Sequence, residues 1–171
     1  MNGIPTKINM FNVYRSGNRL MGVSNEITLP DFEAMSDTIS GAGILGEIDD
    51  PAVGHYGSMT QEVPFRVVDE DAVGMMDPTE PVNLTLRAAQ QVSTVDGAVV
   101  FKPMRIVMRG KNKALSLGSV QQSNAMGTSI TMELTYILIE LDGKPMVELD
   151  KLNSVFKLRG IDILEKARGM C

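Results

Sequence analysis

The chain has 171 residues, 43% of them apolar and 22% charged, which fits one folded domain with its own core and excludes a disordered or low-complexity polymer. A formal net charge of −5 argues against a dedicated nucleic-acid binder, because the bases are spread out apart from a small cluster at Arg105, Arg109, Lys111 and Lys113. The one cysteine, Cys171, cannot close an internal disulfide, Trp is absent, and 13 Met take up part of the core filling.

Residues 1–17 lack the apolar centre of a signal peptide, and no stretch is long and apolar enough to cross a bilayer, so folding in the cytoplasm is expected. Residues 7–14 and 19–29 flank the turn-prone Ser16-Gly17-Asn18 and predict a first hairpin. Leu29-Pro30-Asp31 redirects the chain, because Pro cannot donate to a central ladder. Residues 31–40 follow as a strand or a short helix. Residues 41–58 are Gly-rich and acidic and predict a long loop. The apolar Ile44, Leu45, Ile48 and Val53 are unusual in a solvated loop. They point either to docking on another surface or to folding back over the domain's own core.

Residues 60–68 alternate, with Val63, Phe65 and Val67 on one face, and predict a strand. Asp69, Glu70 and Asp71 suit a helix start. Residues 82–92 alternate again, Asp96-Gly97 is a hairpin turn signal, and 98–109 is the return strand. Residues 110–128 predict a second polar connection. Residues 129–141 form the clearest strand, with Ile130, Met132, Leu134 and Tyr136 on one face of its first half. Its second half is apolar on both faces, so both need cover. Asp142-Gly143 predicts another turn, with 144–150 as the partner strand. Residues 160–168 predict a closing amphipathic helix whose Ile161 and Leu164 cover the end of strand 129–141.

The sum is about seven or eight strands with one or two short helices, a mostly β, antiparallel sandwich or part-barrel in a single domain over 1–171. Strand 129–141 holds few Pro or Lys guards, so pairing with a neighbouring subunit is one solution for its edges. A catalytic centre is not visible. His55 is the only histidine, without convergent partners. The acidic groups at Asp49-Asp50 and at 69–71 lack the ligand spacing of a calcium loop. Gly41 to Gly46 resembles a phosphate loop but lacks its Lys-Ser/Thr ending. Neither cofactor nor metal is expected, and a structural role is expected in place of an enzymatic one.

Several fragments, in order, resemble the major tail tube proteins of contractile-tailed, P2-like phages: Asn12-Val13-Tyr14 with Gly22-Val23, Leu29-Pro30 before Gly41-Ala42-Gly43, and Val107 to Lys113. Further fragments are Leu141 to Lys144 with Val147 to Asp150, and Gly160-Ile161-Asp162 with Leu164-Glu165 and Arg168. After Lys113 the chain departs from the family by carrying few charges. The resemblance implies hexameric rings, stacked into a hollow tube with a continuous inner β-barrel, and a tube driven through a target envelope. The partners it implies are further copies of the chain, a sheath protein, a baseplate hub, a tail terminator and a tape measure protein in the lumen. DNA, or ions in a headless particle, would pass without tight binding. In this setting Gly41, Gly43, Ile44, Leu45, Ile48, Asp49 and Asp50 are expected to contact a neighbouring subunit or ring. Glu33, Glu62 and Glu133 are candidates for an acidic lumen wall. Alternatives are a tube from a non-contractile tail or a secretion-type system, and a monomeric β-sandwich binding module.

Overall fold

The computed structural model describes residues 3–171, which form a mostly antiparallel β domain with two short helices. Strand β1 (Gly3–Arg15) lies beside β6 (Val82–Thr94), which pairs with β7 (Val99–Ser116), then β8 (Thr128–Leu141), then β9 (Lys144–Asp150). Two short strands, β10 (Val155–Leu158) and β11 (Ile161–Asp162), continue the sheet beyond β9, and β2 (Asn18–Arg19) touches the far side of β1. Strand β5 (Thr60–Phe65) pairs with the first half of β8, whose second half pairs with β9. A separate two-stranded ribbon is made by β3 (Ala34–Ile39) and β4 (Ile48–Tyr56).

One face of the large sheet is the core face. Val13, Leu84, Leu86, Ile106, Met108, Ile137, Leu149 and Phe156 are buried on it, covered by Leu20, Met59, Val63, Phe65 and helix α1 (Glu70–Gly74). Burying each of these large side chains contributes about 1.5–3 kcal/mol. Helix α1 starts where three acids predicted it: the Asp69 carboxylate accepts the Ala72 N–H at 2.8 Å as N-cap, and Ala72 and Met75 fill the core. The turns at Asp96-Gly97 and Asp142-Gly143 connect β6 to β7 and β8 to β9 as expected.

Several expectations are corrected. The first hairpin is truncated, because β2 has two residues and Gly22 (φ +83°) turns the chain out of the ladder. Residues 20–33 instead run as a strap over the core, held by Leu20, by the Val23–Phe65 bridge and by Gln61 Nε2 donating to Thr28 O at 2.9 Å. The polar stretch after Arg109 is not a loop: β7 continues to Ser116, because its partner β8 supplies the pairing. Strand β8 is an interior strand, paired along both sides, so its edges need no neighbour.

A bulge explains the apparent two-faced end of β8. Arg109 pairs with Tyr136 and Gly110 with Leu134, leaving Thr135 as the extra residue. The inward set is therefore Ile130, Met132 and Leu134 before the bulge and Ile137 and Ile139 after it, while Tyr136 joins the outer face. Gly110 makes the close approach possible, since a Cβ there would overlap the Glu133 carbonyl. The closing helix is also shorter than predicted. Residues 161–162 are β11, and α2 spans only Glu165–Arg168 with no buried residue. Leu164 packs on the core and against Gly54, but Ile161 is exposed and does not join it as cover.

Candidate assembly surface

Three features lie outside the core and define the surfaces available to partners. The first is the β3–β4 ribbon, an arm whose first strand falls within residues 31–40, read as a strand or a short helix, and whose tip and second strand fall within the predicted loop 41–58. Composition hid its second strand, since Gly, Pro and Asp are depleted in strands and little burial imposes alternation. Every residue of β3 is exposed, and β4 is exposed until it nears the body. At six residues β3 is roughly 20 Å long. The base is fastened by Tyr56, which meets Phe32 and Phe156 edge-on at centroid distances of 5.5 and 5.4 Å, and by Gly57 N–H donating to Glu33 O at 2.9 Å.

The arm gathers the predicted contact residues at its far end. Gly41, Gly43, Ile44 and Leu45 form the tip, with Leu45 fully exposed, and Ile48 stands exposed opposite Ile39. Asp49 accepts a hydrogen bond from Thr38 Oγ1 at 2.8 Å, and Asp50 lies directly across from Asp37. Like charges in direct opposition destabilise a ribbon, and a lone two-stranded ribbon is marginal in water.

The second feature is an open edge. One side of β1 is laddered to β6, but on its other side only Tyr14 and Arg15 are paired in strand fashion. From Gly3 to Asn12 the second side has no strand partner among the described residues. Exposed Ile4, Ile8 and Met10 lie along it. Pro5, Lys7 and two register shifts interrupt it, and they temper aggregation without covering the edge.

The third feature is the outer face of the sheet, which is polar and cross-linked. Asn12, Arg87, Arg105 and Glu140 stand in one row across four strands. Arg105 Nε donates to Glu140 at 2.6 Å, and this hydrogen bond raises the guanidinium's pKa further. Arg87 lies over the Tyr14 ring at 5.5 Å and Arg109 over the Tyr136 ring at 4.1 Å. The Tyr136 hydroxyl donates to Glu148 at 3.1 Å, and Glu148 meets Lys157 at 3.8 Å. Burial, then the Glu148 hydrogen bond, push the Tyr136 hydroxyl's pKa up. A hollow of about 560 Å³ opens along this face between Met10, Phe101 and Arg105.

The three predicted lumen acids do not converge. Glu133 accepts from Ser58 Oγ at 2.8 Å and lies 3.8 Å from Lys113, and Glu62 is exposed on neighbouring β5. Glu33 sits at the base of the arm. Sequence reasoning missed Arg87 and Glu140 as members of the charged row; the alternation through both strands was the available signal.

An arm, an open edge and a polar face with one open hollow are the anatomy of a subunit that completes itself against others. The model of the phage tail tube protein FII family matches residues 5–170. The chain belongs to the phage tail tube protein family. It is 28% identical to the tail tube protein of Escherichia phage P2, over 96% of each chain. It is 22% identical to the major tail tube protein of Serratia phage KSP20, over 92% of this chain and 90% of that one. A structural neighbour is the sheath/tube terminator of PVC, an extracellular contractile injection system, in its extended state. It has a TM-score of 0.54 at 12% identity, covering 80% of this chain and 96% of that one, and so supports the fold alone. The resemblance read from the sequence stands: this tail tube protein is a structural component of the virion tail.

Proposed function

We propose that copies of this tail tube protein close into hexameric rings that stack into the hollow inner tube of a contractile tail. The observation that carries the reading is the open edge of β1 in a chain of this family, because a closed barrel is the arrangement that leaves no edge. The arm supports it: Gly41, Gly43, Ile44, Leu45, Ile48, Asp49 and Asp50 contact a neighbouring subunit or ring, which covers the apolar tip. The polar outer face lines the lumen, with Glu62 and Glu133 on it; Glu33 belongs with the arm. The P2 relative favours a contractile setting over a non-contractile or secretion-type tube. The open edge and bare arm weigh against a monomeric binding module.

In this reading a sheath surrounds the tube, a baseplate hub starts it, a terminator ends it and a tape measure protein fills it before use. DNA, or ions in a headless particle, then passes without tight binding. Negative-stain microscopy and sedimentation of the purified protein over a wide concentration range test the reading. Rings or tubes are expected, and a strict monomer at every concentration refutes it.

A further inference from the structure

Only part of the sheet's core face has a roof. Met59, Val63, Phe65 and helix α1 cover the stretch around Leu84, Ile106 and Ile137. Toward the β6–β7 turn the strands run on beyond that cover. Phe11, Ala88, Met104 and Leu141 stand in one row across β1, β6, β7 and β8, and Ile8, Gln90 and Lys102 stand in the next row of the same face. The first row and the strap residues Ile27 and Leu29 bound an apolar groove of about 240 Å³, in which Ile8 and Leu29 are exposed. A second hollow of about 290 Å³ follows, lined by Gln90, Lys102, Asp142, Lys144 and Met146. Asp142 holds Lys102 at 3.4 Å, while Lys144 has no ion pair among the described residues. Within two strand residues the face thus changes from apolar to polar with one free cation.

The arm carries the complementary order. Ile44 and Leu45 stand at its tip, Ile39 pairs with Ile48 behind them, and Asp49 and Asp50 follow, opposite Thr38 and Asp37. From Ala34 to Tyr56 the arm holds four Asp and Glu and no Lys or Arg. Ile48 and Asp50 are two strand residues apart, about 7 Å, which is also the step from Ala88 to Gln90 along β6. Charge sets the direction. Glu26 closes the strap end of the groove, so a docked arm places its tip there and keeps Asp49 and Asp50 at the Lys144 end. Only Glu47 is carried toward Glu26, a single like-charge pair against the two apolar side chains it accompanies.

We propose that this groove receives the arm of a second copy, with Ile44 and Leu45 packed against Phe11, Ile27, Leu29 and Met104, and with Asp50 set toward Lys144. The inference rests on the tube reading for the presence of a second copy, and it names the surface that the arm meets. The chain's own arm is not the occupant, because β3 is exposed along its whole length and Leu45 is fully exposed. The groove lies on the sheet's face, so the backbone edge of β1 stays free for ring closure. The rival receptor is the hollow on the outer face between Met10, Phe101 and Arg105. There Glu140 already holds Arg105 and would itself face the incoming acids.

The test uses the full-length chain with Cys171→Ser, which removes the only thiol. Chains carrying Leu45→Cys are mixed with chains carrying Leu29→Cys, so that a disulfide can link positions 45 and 29 only between copies. After assembly and mild oxidation, a dimer on a non-reducing gel is expected from this mixture. It is not expected from Leu45→Cys alone or from Leu45→Cys mixed with Phe101→Cys. Both substituted positions are exposed, so the fold is retained; circular dichroism checks this, and Asn25→Cys on the same rim replaces Leu29→Cys if that variant does not fold. Independently, Lys144→Glu should raise the protein concentration needed for tubes about fivefold, the effect of one partly exposed ion pair. Asp50→Lys in the same chain should restore the wild-type value. A dimer from Leu45→Cys alone, or with Phe101→Cys in preference to Leu29→Cys, overturns the proposal, as does a charge reversal that leaves assembly unchanged. Tubes without the cross-link between positions 45 and 29 fail this inference alone. The cross-link without tubes upholds it and fails the tube reading, and the absence of both fails both.

Discussion

Gly110→Ala probes the contact on which the sheet's geometry turns. Gly110 is buried at the bulge where β7 and β8 change register, and the added methyl would overlap the Glu133 carbonyl, with the Leu134 Cα 3.1 Å away. These are backbone atoms of a paired strand, so no side-chain rotation relieves the overlap. The two strands must separate locally. Forced overpacking costs about 1–3 kcal/mol, and each ladder hydrogen bond lost adds about 1 kcal/mol. A total of about 3 kcal/mol is expected, which lowers Tm by about 6–12 °C for a chain of this size. Gly143→Ala is the comparison. That glycine has φ +73° and open space around it, so only the backbone penalty of about 1–2 kcal/mol applies. Thermal melting followed by far-UV circular dichroism reads both. A Gly110→Ala variant that melts within 2 °C of the wild type, or above Gly143→Ala, refutes the close approach and the bulge argument with it.

Replacing Ser40–Glu47 with a two-residue turn should change subunit stability by less than about 1 kcal/mol, since surface changes away from packed features rarely exceed that, while abolishing tubes in negative stain. Leu164→Ala should cost about 2 kcal/mol by the cavity scale for a large apolar side chain, read as the midpoint of urea unfolding. Arg168 hydrogen-bonds Asp162 and holds its carboxyl below the usual carboxylate range. The folded-state pKa is depressed, so the stabilisation is present above about pH 4 and is lost as pH falls through the lower folded value. Wild-type protein should therefore lose more stability on acidification than Asp162→Asn, and parallel melting curves from pH 5 to 2 would refute the role of the pair.

Local signals in the sequence survive folding. Asp-Gly turns, the Asp69 cap and the alternation of β6 and β8 depend on a few adjacent residues, and each appears where the residues place it. What was illegible depends on partners distant in the chain. The second half of β7 reads as a polar connection because it stays mostly exposed and its ladder pairing is supplied by β8. The phase of Tyr136 is set by a bulge whose cause, Gly110, lies 26 residues earlier. The arm's second strand is illegible for the opposite reason: it buries little, so no alternation marks it. The residues proposed for contact stand out in the sequence by their apolar character in a Gly-rich setting. The charged row was missed because it is assembled from four strands.

The unsatisfied features of the subunit also constrain how copies meet. The open edge of β1 and the arm are different elements with different chemistry, one a row of backbone groups with Ile4, Ile8 and Met10, the other an acidic ribbon with an apolar tip. A two-fold dimer through the arms would bring Asp37, Glu47, Asp49 and Asp50 of one copy against the same residues of another. Each arm already carries the opposition of Asp37 and Asp50, and a second set of acids would add to it. In the proposed tube, like charge therefore disfavours arm-on-arm contact and favours the arm landing on some other surface of the neighbour. Contacts between unlike surfaces are head-to-tail, and such contacts either close into rings or extend as filaments. A tail tube requires both, closure around the axis and extension along it. Two separate unsatisfied elements can serve them separately, the edge for closure and the arm for extension.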